Sequence, residues 1–257
     1  MKYFILIIVL LSKATFSFSQ KFNYPQIKKA ANSLEGFIPG GWMVLDSAIG
    51  DLNKDKVDDI AFVLQHTDSI YLAKTKNGDY WYSDKDGNTN NIKIDENSEV
   101  VKTQPRILLI AFKNKITNQF ILKEQNNMFI PDHDNPFMID PYESDSLKIS
   151  AGVLSMSFGV FMMMGSWGTS SYSYNFRYQS NEFVLIGATD YFVDRRSGEC
   201  DKCSYNFLTH KKKCISGSID NDIKSQKVKW KKIPSKKIVT VKTLQGPYDW
   251  QNLLDKY

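Results

Sequence analysis

The chain has 257 residues, 42% hydrophobic and 13% aromatic, with 33 basic against 28 acidic side chains for a formal charge of +5. That length suffices for one domain with a substantial core or two small ones, and so mild a charge argues against nucleic acid as the partner. Outside residues 3–11 no apolar run approaches the roughly 18 residues of a membrane-spanning helix, which excludes a helical membrane protein.

Lys2, the apolar run 3–11 and Ser17-Phe18-Ser19-Gln20 read as the three regions of a secretory signal cleaved after Ser19. The expected product is a soluble periplasmic or secreted chain, residues 20–257, forming a single β-rich domain with no transmembrane segment. Losing Lys2 and Lys13 lowers its charge to +3. Next, Asn23 and Pro25 look like a helix start, and Ile27, Ala30, Ala31 and Leu34 recur at helical spacing, so a short helix is expected over residues 20–36. The halves that follow are residues 37–130, with the loop described next, and 142–257, with a basic C-terminal segment.

Gly50-Asp51-Leu52-Asn53-Lys54-Asp55-Lys56-Val57-Asp58-Asp59 leads directly into an apolar strand. Side-chain oxygens fall at alternate positions (Asp51, Asn53, Asp55), followed by the Val57 carbonyl and the Asp59 carboxylate. This is the hard-oxygen set that calcium takes. The loop resembles those of FG-GAP, VCBS-type and dockerin modules, which implies calcium as the cofactor. Lys56 stands where that pattern has glycine, at a cost of about 1 kcal/mol if the backbone is left-handed there. The bland reading is a polar turn ahead of a buried strand.

Strands are expected at 60–64, 106–112, 119–122, 147–158, 171–178 and 182–186, which makes the fold mostly β, built of antiparallel hairpins in a meander. Residues 77–97 and 126–141 read as loops. Tyr172, Tyr174, Phe176 and Tyr178 place four aromatics on one strand face, read as core, with Ser171, Ser173, Asn175 and Arg177 on the other. Two hairpins look alike, Phe112 with Asn118 to Leu122 and Phe176 with Asn181 to Leu185. A last helical turn is expected around Trp250, Leu253 and Leu254.

Cys200, Cys203 and Cys214 suggest one disulfide and one free thiol in an oxidising compartment, with Cys203–Cys214 and Cys200–Cys214 both open. Adding His210 gives a four-ligand zinc alternative whose spacing is close to that of zinc knuckles without matching it. Residues 195–242 carry fourteen Lys or Arg against four Asp or Glu, leaving the rest of the mature chain acidic. Lys227, Lys229 and Lys231 alternate with Val228 and Trp230, so a strand there would aim the lysines at an anionic glycan or lipid surface and Trp230 inward.

No Gly-x-Ser-x-Gly, His-Glu-x-x-His or phosphate loop occurs. Asp132-His133-Asp134 is the one carboxylate-flanked histidine. Phe37-Ile38-Pro39, Gly41-Trp42, Asp140-Pro141-Tyr142-Glu143, Gly165-Ser166-Trp167, Phe176-Arg177-Tyr178-Gln179, Leu185-Ile186-Gly187 and Tyr205-Asn206-Phe207 resemble a family of exported, functionally uncharacterised proteins of Gram-negative bacteria. That resemblance implies export and a single unit, and no activity. The sequence therefore supports a calcium-stabilised binding or interaction module. The alternative is a hydrolase whose site is assembled from distant residues, with His133 and the acidic loop among them.

Overall fold

The computed structural model describes residues 22–74, 80–83, 99–135, 137–220, 226–233, 238–244 and 246. The expected signal segment, most of the 77–97 stretch and the expected C-terminal turn around Trp250 lie outside the described residues. Among those described, no helix is long and apolar enough to cross a membrane.

The fold is mostly β. The N-terminal stretch departs from the expected helix: residues 22–29 have no regular structure, Ala30–Ala31 (β1) pairs with a strand, and only Leu34–Phe37 turns, as a 3-10 helix. The reason lies in the spacing. Ile27 and Ala31, both buried, are four apart, which places residues on one side of an extended chain as well as of a helix. The extended option wins because a sheet edge satisfies the backbone: Leu122 N donates to Lys29 O at 2.9 Å.

β2 (Trp42–Gly50), β3 (Asp59–His66), β7 (Arg106–Lys113) and β8 (Phe120–Asn126) form a five-stranded sheet with β1, ordered β1-β8-β7-β3-β2. Ile60, Phe62, Leu64, Ile107 and Leu109 pack under the N-terminal stretch, while Ala61, Val63, Leu108 and Ile110 face the main core. Burial on both faces explains why β3 and β7 read as unbroken apolar runs. A small sheet, ordered β5-β4-β6, joins β4 (Ile70–Lys74), β5 (Tyr80–Ser83) and β6 (Glu99–Thr103). β5 falls inside the expected 77–97 loop; its Tyr-Trp-Tyr run is strand-favouring sequence within a turn-rich neighbourhood.

A seven-stranded meander makes the second large layer, its strands in sequential order: β9 (Leu147–Ser150), β10 (Val153–Phe161), β11 (Gly168–Gln179), β12 (Glu182–Asp194), β13 (Glu199–Asn206), β14 (Lys211–Ser218) and β15 (Lys227–Lys232). The single strand expected over 147–158 is a hairpin, turned at Ala151 and Gly152, whose φ values of 51° and 75° suit a two-residue turn of the primed kind. Inward residues change parity there, from Leu147 to Leu154, Met156 and Phe158.

The two large sheets share one core. Phe112 meets Tyr178 and Phe183 with ring centroids 4.7 and 5.8 Å apart, so the two similar hairpins, β7–β8 and β11–β12, pack on each other. Asn118 and Asn181 hold the matching left-handed turn positions. Tyr174 and Phe176 are fully buried, as core. A bulge between Asn175 and Phe176 shifts β12 by one residue, and the chain after β15 returns beside it, Leu185 N donating to Val239 O at 2.8 Å.

Candidate functional site

The Asp51–Asp59 loop connects β2 to β3, with Gly50 and Asp59 directly opposed in register. Leu52, fully buried, plugs it into the main core. Asp51 accepts from Asp55 N (3.1 Å) and Lys56 N (2.8 Å), Asn53 Oδ1 from Asp55 N (2.9 Å), and Asp55 Oδ1 from Val57 N (2.8 Å). Lys54 and Lys56 take left-handed φ values of 64° and 70°. The lysine at the glycine position of the resembling loops therefore adopts the conformation glycine would supply, at about 1–2 kcal/mol.

Asp59 has a different role from the other loop acids. It has no exposed surface, and its two oxygens accept from Leu52 N (3.0 Å), Asn53 N (3.3 Å) and, across the sheet, Lys113 N (3.0 Å). Burial raises its pKa above the ordinary carboxylate value; these N–H bonds oppose the rise and the nearby Asp55 charge adds to it. The Lys115 ammonium donates to the Asp55 carbonyl and stands 4.0 Å from its carboxylate.

Asp51, Asn53, Asp55 and the Val57 carbonyl are hard oxygens of the kind calcium takes, so the set fits in kind. Asp59, with both oxygens engaged, does not fit as a direct ligand. Among the described residues no group of three or more His, Cys, Asp or Glu is gathered as a metal-holding set.

The second candidate site is a trough of about 680 Å³ on the outward face of the meander. Cross-strand register lines up two rows of residues on this face, most of which line the trough. One runs Asn175, Gly187, Asn206, Lys211 and Lys232; the next runs Ser173, Thr189, Ser204, Lys213 and Trp230. Strand alternation puts both rows on one face. Asn175, Gly187, Thr189, Ser204, Asn206, Lys211, Lys213 and Trp230 line the trough, and none of its lining residues is an acid, a histidine or a cysteine.

Trp230 does not point inward as expected; it is 64% exposed, with Lys213 Nζ 5.7 Å from its ring centroid. The cause is position. β15 is the edge strand, every residue of it is exposed, and neither it nor β14 contributes to the main core. Lys227, Lys229 and Lys231 share the opposite face of that edge, outside the trough.

Cys203 and Cys214 are directly opposed on β13 and β14 and form a disulfide, leaving Cys200 as the free thiol. Two of the four zinc-type groups are thereby consumed. Both bridged cysteines lie on the face behind the trough. Beside them Tyr205 Oη donates to Asp190 at 3.2 Å and accepts from Lys212 Nζ.

His133, of the hydrolase alternative, is exposed, its Nε2 2.7 Å from the Met138 carbonyl. Nearby, the buried Arg106 guanidinium makes a bidentate pair with Asp140 (2.8 and 2.5 Å) and reaches Gln65 (2.8 and 3.0 Å) and the Pro131 carbonyl (2.7 Å). Burial would raise Asp140, but the Arg106 bonds and charge and the Tyr142 N–H outweigh it and hold it below the ordinary value. Asp132 is pushed up to about 7, first by burial, then by the Asp134 and Asp140 charges, with Arg106 opposing.

No family model, curated protein or solved structure matches this chain.

Proposed function

We propose that this chain is an exported binding module, stiffened by calcium at the Asp51–Asp59 loop, that takes its ligand on the outward face of the meander. The observation carrying this reading is the trough. Short hydroxyl and amide side chains, two lysines and an exposed tryptophan line it together with the apolar Val153, Ile186 and Leu208, and no acid or histidine does. Such a set can hold a ligand by hydrogen bonds and charge. His133 and Asp132 lie elsewhere, tied into the Arg106 cluster or to main chain.

Calcium enters as a stabiliser of the hairpin that launches β3, with Asp51, Asn53, Asp55 and Val57 as its ligands. It supplies positive charge where Lys115 now stands against Asp55. Asp59 contributes indirectly, by fixing the loop backbone through Leu52, Asn53 and Lys113. Export places the module in the periplasm or outside the cell, where calcium is plentiful.

The test is a screen of the mature protein against an array of neutral and charged saccharides, alongside Ser204→Trp, which fills the trough from the outward face. The wild type should retain some members and Ser204→Trp should lose them at an unchanged melting temperature. Retention unaffected by the substitution, or no retention by either protein, would sink the reading.

A further inference from the structure

Resting on that reading of the trough, we infer that its ligand is an anionic saccharide, its negative group held by Lys211 and Lys213 in the trough, with Lys232 beside them on the edge strand. The first reason is charge. Lys211 lies directly opposite Lys232 in the β14–β15 register, and like charges so opposed destabilise a sheet. Lys213 follows two residues on, about 7 Å along the strand on the same face. Among the described residues none of the three has an ion-pair partner, and no carboxylate lines the trough. An anion from outside would relieve a repulsion that no ion pair among the described residues compensates.

The second reason is the remaining wall. Thr189, Ser204 and Asn206 offer paired donors and acceptors that suit a hydroxyl-rich ligand. Trp230 adds a flat apolar surface at the rim, 64% exposed, of the kind that packs on the C–H face of a sugar ring. Gly187 keeps the floor low: a Cβ there would stand 3.4 Å from the Tyr205 carbonyl and 3.5 Å from Asn175 Nδ2. The volume lies within the roughly 300–1,000 Å³ of ordinary small-ligand sites. A bare phosphate would use the lysines and leave the tryptophan and hydroxyls idle; an acidic peptide would not need the ring.

Affinity electrophoresis of the mature protein decides this, with polygalacturonate as the acidic sugar polymer, dextran as the neutral one and polyglutamate as an acidic chain without sugar. The variants are Lys211→Gln/Lys213→Gln, Trp230→Ala, and Lys227→Gln/Lys229→Gln as a control of equal charge change on the opposite face, all checked for unchanged melting. Polygalacturonate should be retained best, about tenfold more weakly by the first two variants, and within twofold of wild type by the control. Equal loss in the control would show that net charge, not the trough, is responsible. Equal retention on polyglutamate, or dextran retained as well as polygalacturonate and lost with Trp230→Ala, overturns the anionic sugar and leaves the binding module standing. Retention on no probe, together with failure of the saccharide screen, brings both down.

Discussion

Asp59→Ala tests whether the loop is held by its buried carboxylate. The substitution removes the acceptor for three backbone donors, Leu52 N, Asn53 N and Lys113 N, of which the Leu52 bond is buried and the others partly so. An unsatisfied buried N–H costs about 1–3 kcal/mol, and donors nearer solvent recover part of theirs from water. The expected loss is about 3 kcal/mol, a large share of the roughly 5–15 kcal/mol that holds a domain together. For a chain of this size that lowers the melting temperature by roughly 6–12 °C. Asp51→Ala, whose oxygens serve two donors at the solvent side, should cost less than half as much without calcium. The assay is chemical denaturation followed by circular dichroism, in chelator. A loss below about 1 kcal/mol for Asp59→Ala, or equal losses for the two variants, would refute the idea that this carboxylate pins the loop to β7.

Three further outcomes can be checked on the loop, the Arg106 cluster and the disulfide. Calcium at one hundred times its dissociation constant should stabilise the mature protein by about 2.7 kcal/mol, and Lys115→Met, by freeing Asp55, should lower the calcium concentration required; melting with calcium and with chelator checks both. Asp132, raised to about 7, contributes stability that is complete below its unfolded value and lost as pH rises through 7. Asp132→Asn should therefore be more stable than wild type by about 2 kcal/mol at pH 8, with no advantage at pH 4. Mass spectrometry of the unreduced mature protein should find the Cys203–Cys214 bridge with Cys200 alkylatable, and bound zinc with three free thiols would contradict it.

Much of the architecture was legible because burial leaves a local trace. Unbroken apolar runs at β3 and β7 and the aromatic alternation of β11 report their layers directly. Local traces also mislead when two geometries share them. Ile27 and Ala31 suit a helix or an extended chain, and an apolar stretch whose alternation changes parity at Ala151 reads as one strand although it folds as two. The sequence points Trp230 inward because alternation says which residues share a face, not whether anything covers that face. The trough was the least visible feature, since its two rows exist only once four hairpins fix their registers. Its one sequence signal was the face of β11 opposite the aromatics, where Ser171, Ser173 and Asn175 are too short to fill space.

The most direct test of the trough as the binding face is to map backbone amide shifts of the mature protein during titration with polygalacturonate. The changes should cluster at Thr189, Ser204, Asn206, Lys211 and Lys213 and spare the Asp51–Asp59 loop. Shifts gathered at Lys227, Lys229 and Lys231 on the opposite face, or spread evenly over the basic C-terminal strands, would contradict the account.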